Sequence, residues 1–131
     1  MCNLEARVSK ILSLIKIPHN MLGAKYLKRA VVLAVEDNTI VHHLMSRLYP
    51  EVARQLRKCE CKKKCKCPQN IERNIRHALA AGWERSDFMK PIGEMFGIVI
   101  SAKDRPANGE FISFLAEQLL IEKLTNAAKA A

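Results

Sequence analysis

Four cysteines near the middle of the chain follow the pattern C-x-C-x3-C-x-C: Cys59, Cys61, Cys65 and Cys67. Four thiolates at this spacing can converge on one tetrahedral soft metal ion, and Zn²⁺ is the expected ion. Zinc sites more commonly use C-x2-C pairs, so two alternatives stay open. The cysteines can act as a reversible disulfide switch, because nearby Lys and Arg favour thiolates, or they can belong to a basic loop with no special chemistry.

Positive charge is concentrated in the same stretch. The chain has 22 Lys and Arg residues against 13 Asp and Glu, a formal net charge of +9. Between residues 57 and 66, six basic residues accompany one Glu, a local excess of +5. Such an excess favours a polyanionic partner, because neutralised phosphates release their condensed counterions. A basic protein without such a partner is the alternative. The candidate phosphate contacts here are Lys62, Lys63, Lys64 and Lys66.

Residues 68–82 are predicted to form an amphipathic helix directly after the cysteines. At about 100° per residue, one narrow stripe is available to pack on a core: Ile71, Ile75, Ala78, Leu79 and Gly82. The opposite face carries six side chains that can form hydrogen bonds: Gln69, Asn70, Glu72, Arg73, Arg76 and His77.

This polar face has the composition of a helix that reads bases in the major groove. Arg matches the two acceptors of guanine, Asn and Gln match adenine, and Glu accepts from cytosine. An ordinary solvated helix face has similar residues. A short helix predicted at residues 50–56 favours base reading, because two such helices in succession form a helix-turn-helix.

Helical patterns also dominate the rest of the chain. Pro18 is expected to stop the first helix, and the run Asp37-Asn38-Thr39 breaks the second and offers capping side chains to the next segment. Residues 98–101 form at most one short extended piece, and the tail from Thr125 is expected to fray. The other predicted helical segments cover residues 4–15, 24–36, 40–48, 90–96 and 111–124.

Length and composition favour one all-α domain of about six helices over residues 1–131, with its core at 5–124. Hydrophobic residues make up 49% of the chain and charged residues 27%, which is typical of a folded protein. No apolar run is long enough to span a bilayer, and the N-terminus lacks a signal-peptide pattern, so a cytoplasmic location is expected. No catalytic motif appears, and an enzyme is not predicted.

Three strings resemble the C-terminal effector domain of the sporulation response regulator, stage zero sporulation protein A. LYPEVA at 48–53, IERNIRHA at 71–78 and PANGEFI at 106–112 are similar to that family's LYPDIA, VERAIRHAI and PTNSEFI. The resemblance runs in order over residues 5–124. It implies an all-α fold with a helix-turn-helix that binds a short duplex DNA element, often as a dimer on tandem copies.

The resemblance also implies roles for residues on the predicted helix. The family's base-reading positions fall on Asn70, Glu72 and Arg73, with Gln69 beside them on the same face. By the same resemblance, phosphate contacts fall on Arg76 and His77, to which the lysines of the cysteine stretch are added.

Departures from the family pattern predict a shifted sequence preference. Asn70 stands where the family has Arg, Asn74 replaces a small residue, and residues 18–22 lack His and Lys at the positions where the family carries them. About eight residues carrying the four cysteines are inserted in the turn, within the segment at about 57–67. The family's receiver domain does not precede the first helix in this sequence. Either the sequence belongs to a longer chain that carries such a domain, or the protein stands alone.

Two hypotheses follow. The first is a transcription regulator that binds duplex DNA specifically and is tuned by metal or redox state at the cysteines. The second is a metal-holding or partner-binding module on the same fold, without specific DNA binding.

Overall fold

The computed structural model describes residues 2–18, 20–59, 65–85, 87–100 and 104–130. Within these ranges the chain forms six α-helices and no strand: α1 (Cys2–Leu14), α2 (Leu22–Glu36), α3 (Tyr49–Leu56), α4 (Cys67–Arg85), α5 (Met89–Phe96) and α6 (Asn108–Ala130). The predicted all-α class with about six helices is confirmed. No helix in these ranges has the length and apolarity needed to cross a membrane.

The central helix of the fold is α2, which packs against α1, α4 and α6. Its small and branched side chains allow neighbours to approach from several sides. Leu27, Ala30 and Val31 are fully buried, whereas Leu33 is only partly covered. Packing against this helix therefore sets the positions of α1, α4 and α6.

A backbone motif ends α1 just before Pro18, where the sequence predicts the end. Lys16 adopts a left-handed conformation with φ of 61°. The N–H groups of Lys16 and Ile17 donate to the carbonyls of Ser13 and Leu12 over 3.1 and 3.3 Å. This is the Schellman arrangement, which satisfies the last carbonyls of a helix. It turns the chain toward α2.

The segment before α3 differs from its prediction. One helix over residues 40–48 is wrong, because a 3₁₀ turn (Asn38–His42) is followed by a π-helical turn (Leu44–Leu48) that runs into α3. The predicted cap is present, since the Asp37 carboxylate accepts from the Thr39 N–H at 3.1 Å. His43 interrupts the two turns with φ of −137° and ψ of 58°.

Helix α4 is longer than residues 68–82. It begins at Cys67 and ends at Arg85, because Gly82 does not break it. Gly82 is buried, and a Cβ there would lie 3.0 Å from Ile17 Cγ1 and 3.1 Å from the Ile15 carbonyl oxygen. The glycine permits close packing of α4 on the end of α1.

The last two helices have contrasting ends. Gly97, at φ of 73°, ends α5 directly after the predicted segment 90–96. Residues 98–100 are neither helix nor strand, and Ser101 lies outside the described residues. Helix α6 starts at Asn108, earlier than predicted, and continues to Ala130. Fraying from Thr125 is therefore wrong, because the alanine-rich tail has high helix propensity and extends the helix, with exposed side chains over residues 125–128.

Candidate nucleic-acid interface and cysteine cluster

The buried stripe of α4 is the one that helical spacing predicts. Its buried residues are Ile71, Ile75, Ala78, Leu79 and Gly82. The stripe faces α2, α3 and α6, against which α4 packs. Because one face is fixed against three helices, the opposite polar face has a defined orientation toward solvent.

Gly23 allows α2 and α4 to approach each other closely. A Cβ built on Gly23 would lie 2.0 Å from the main-chain oxygen of Asn74 and 2.9 Å from the Cβ of Ala78. No side chain fits in that space. The distance between α2 and α4 therefore depends on this glycine.

Helices α3 and α4 form the predicted pair. Val52 and Ala53 are fully buried on α3, and α3 packs against α4. This is the arrangement of a helix-turn-helix, in which the second helix enters the major groove.

Most of the polar face of α4 is open to solvent. Gln69, Arg73, Arg76 and His77 are exposed. Neither Arg73 nor Arg76 forms an ion pair with another described residue. Both guanidinium groups are therefore available for an anionic or base-edge partner.

Two residues at which this sequence departs from the family that it resembles contact each other. The Asn74 amide nitrogen donates to the main-chain oxygen of Asn70 at 2.8 Å and to Asn70 Oδ1 at 2.5 Å. The side-chain oxygen of Asn70 is thereby engaged, whereas its amide nitrogen forms no hydrogen bond with another described residue. Their i, i+4 spacing was a signal that sequence inspection could have used.

Glu72 is also engaged within the protein. The Asn108 amide nitrogen donates to Glu72 Oε1 at 3.0 Å and to the Glu72 carbonyl oxygen at 2.8 Å. The buried Tyr49 hydroxyl lies beside them. Burial is the main reason that the pKa of Tyr49 lies well above its usual value, and the nearby Glu72 carboxylate raises that pKa further. Sequence inspection missed both Tyr49 and Asn108, since neither is near Glu72 in the chain.

Three of the four predicted metal-binding cysteines come together. The Sγ atoms of Cys59, Cys65 and Cys67 all lie within 4.8 Å of one another. The Cys59 and Cys65 sulfurs are 3.3 Å apart, and Cys65 Sγ accepts from the Cys67 N–H at 3.4 Å. The predicted fourth ligand, Cys61, lies outside the described residues, as do Lys62, Lys63 and Lys64.

The cluster joins the end of α3 to the start of α4. Lys58 adopts a left-handed conformation with φ of 54°, and the Cys59 N–H then donates to the Ala53 carbonyl at 3.2 Å. Cys67 is the first residue of α4. Hydrogen bonds with Cys65, the larger cause, and with Cys59 raise the pKa of the Cys67 thiol to about 11.

Basic residues surround this junction. Arg57 and Lys58 follow α3, Lys66 precedes α4, and all three are exposed. The described lysine among the predicted phosphate contacts, Lys66, is thus open to solvent at the start of the polar helix.

An all-α fold whose fourth helix presents an open basic face beside a shorter packed helix defines a DNA-binding domain of the helix-turn-helix class. A family model, Sporulation initiation factor Spo0A C terminal, matches residues 8–119. The chain belongs to that family and is a sporulation-type DNA-binding effector domain.

Proposed function

We propose that this protein acts in the cytoplasm as a transcription regulator that binds a short duplex DNA element through α4. Base edges are read by Gln69, Asn70, Glu72 and Arg73. Phosphates are bound by Arg76, His77 and the lysines at 62, 63, 64 and 66. The observation that carries this proposal is that Arg73 and Arg76 are exposed on the face opposite the buried stripe, and neither forms an ion pair with another described residue.

The dimensions of the polar face suit the major groove. Gln69 and His77 are eight positions apart, which is about 12 Å along a helix. The major groove of B-DNA, about 12 Å wide, admits an α-helix, whose diameter with side chains is about 10–12 Å. A face of this length can reach several adjacent base pairs while Arg76 and His77, toward its C-terminal end, contact phosphates.

The sequence preference is expected to differ from that of relatives with Arg at the position of Asn70. An asparagine cannot make the forked contact to guanine that arginine makes, and Asn74 also holds Asn70 Oδ1. We further propose that two copies bind as a homodimer on tandem elements, as the family resemblance implies.

Selection from a random duplex library at fixed salt tests the function. An enriched motif of a few base pairs is expected, with binding that weakens steeply as salt rises. Five Lys or Arg phosphate contacts predict a slope of log K against log salt of roughly −4 to −5. Absence of any enriched motif at physiological salt would contradict sequence-specific binding and favour a metal-holding or partner-binding module.

The cysteine cluster is proposed to hold Zn²⁺, with Cys61 completing the set. The donor chemistry fits, since Zn–S bonds of about 2.3 Å place tetrahedral sulfurs roughly 3.8 Å apart. The three described sulfurs already lie within 4.8 Å of one another. A metal held there would clip the end of α3 to the start of α4 and so fix the approach of α4 to DNA.

Replacing Cys59, Cys65 and Cys67 together by serine is expected to abolish metal binding and weaken specific DNA binding about tenfold, or ~1.4 kcal/mol. Loss of the clip should leave α4 less well oriented. Metal content of anaerobically purified protein and the affinity for the selected duplex are measured with and without chelator.

Cys2→Ser is the matched control, because Cys2 begins α1 and lies far along the chain from the cluster. Unchanged affinity of the triple variant, with and without chelator, refutes metal tuning. If the wild type holds no metal but loses affinity reversibly on mild oxidation, the cysteines act as a redox switch instead.

A further inference from the structure

Asn108 is the one buried polar residue in the described core, at 5% exposed. It begins α6, yet its amide reaches α4, where it donates to both the carboxylate and the main-chain oxygen of Glu72. Burying an amide is costly unless its hydrogen bonds are made. The contact with Glu72 is therefore a built feature of the junction between α4 and α6.

Another residue caps the start of α6, so Asn108 is not needed for that task. The Glu110 carboxylate accepts from the Ala107 N–H at 3.0 Å, which is half of a capping box. The side chain of Asn108 is thus left to link α6 to α4, through a residue 36 positions earlier in the sequence.

The Tyr49 hydroxyl, from the first residue of α3, lies at the same junction. The hydroxyl is buried and forms no hydrogen bond with another described residue. The Glu72 carboxylate lies near it. Tyr49, Glu72 and Asn108 thus bring α3, α4 and α6 together around one carboxylate, here named the Glu72 junction.

An ionised carboxylate has two oxygens and about four acceptor sites. Asn108 occupies Oε1 of Glu72, while Glu72 as a whole is only half-buried. The engaged oxygen fixes the direction of the other, and a group fixed in direction discriminates between donors better than a freely rotating one.

We infer that Asn108 is a positioning residue for base recognition: it holds the Glu72 carboxylate in the orientation that reads one base pair, without touching DNA itself. This inference rests on the proposed reading of duplex DNA by α4. It assigns part of the sequence specificity to the first residue of the last helix. By pairing chemistry, the base that Glu72 reads is a cytosine, whose amino group donates.

The test uses the full chain and the duplex motif selected by the wild type. Glu72→Ala first identifies the base pair that Glu72 reads, as the position at which preference is lost. Asn108→Ala is then expected to relax preference at that same position by roughly 5- to 30-fold. Preferences at the positions read by Arg73 should stay within about twofold.

Glu110→Ala is the matched control, since it loosens the same end of α6 without removing a bond to Glu72. It is expected to leave the base preference unchanged. Asn108→Ser, which keeps a polar side chain at the buried position, is measured in parallel in case Asn108→Ala does not fold, and thermal unfolding of every variant is recorded.

The outcomes separate the two proposals. If the wild type selects no motif, the DNA-reading function itself fails. If it selects a motif and Glu72→Ala changes one position, but neither Asn108 variant does, the positioning role alone is overturned. A uniform loss at every position in the Asn108 variants, or failure of both to fold, makes Asn108 a structural residue and also overturns it.

Discussion

Gly23→Ala is expected to destabilise the fold by about 3 kcal/mol or more, at the upper end of the cost of overpacking a core. The added Cβ would meet the main-chain oxygen of Asn74 at 2.0 Å and its carbonyl carbon at 2.7 Å. Backbone atoms cannot rotate away as a side chain can, so α2 and α4 must separate. Because α2 carries much of the core, the strain affects the whole molecule.

Thermal and urea unfolding measure the effect, and a drop in Tm of about 10 °C or more is expected. Gly109→Ala is the control, because a Cβ there would meet only the Leu44 side chain, at 2.9 Å from Cδ1. Leu44 can shift, and alanine favours helix by up to about 1 kcal/mol over glycine. If the Tm of Gly23→Ala lies within roughly 2 °C of the wild-type Tm, the close approach of α2 and α4 is contradicted.

Arg73→Ala is expected to weaken binding to the selected duplex by roughly 10- to 100-fold, with little change in binding to unrelated duplexes. Arg73 is exposed on the polar face, without an ion pair to another described residue. Its whole contribution is therefore available to the DNA. The lost energy should appear as relaxed preference for guanine at one position.

Lys66→Ala is the contrasting variant for Arg73. Lys66 is exposed just before α4 and is proposed to contact phosphate, which carries no sequence information. It should weaken all duplexes alike and reduce the salt slope by about 1. If Arg73→Ala instead weakens specific and unrelated duplexes equally, Arg73 contacts the backbone and the base-reading assignment is wrong.

The helices themselves were largely predictable, because helix formation depends on neighbours three and four residues apart. The buried stripe of α4, from Ile71 to Gly82, follows from spacing alone and is confirmed. Gly97 ends α5 because glycine adopts the left-handed conformation at little cost. Lys16 does the same for α1 without that signal, so only the region of the helix end, before Pro18, was predictable.

The environment of the candidate reading residues was not predictable in the same way. Glu72 was placed on the polar face by its position in the helix, and that placement says nothing of what approaches from elsewhere. Asn108 lies 36 residues away, and its hydrogen bond to Glu72 exists only after α6 packs against α4. The buried Tyr49 hydroxyl depends likewise on the packing of α3.

The cysteines show the same division between sequence and structure. Their types and spacing determined which metal chemistry is possible, because thiolates are ligands for soft ions. Spacing alone did not decide whether the sulfurs meet. The turn at Lys58 and the packing of α3 on α4 bring Cys59, Cys65 and Cys67 together at the start of the polar helix. Local interactions determined the helices and their faces, and long-range packing decided which side chains surround the reading face, since those contacts join residues far apart in the chain.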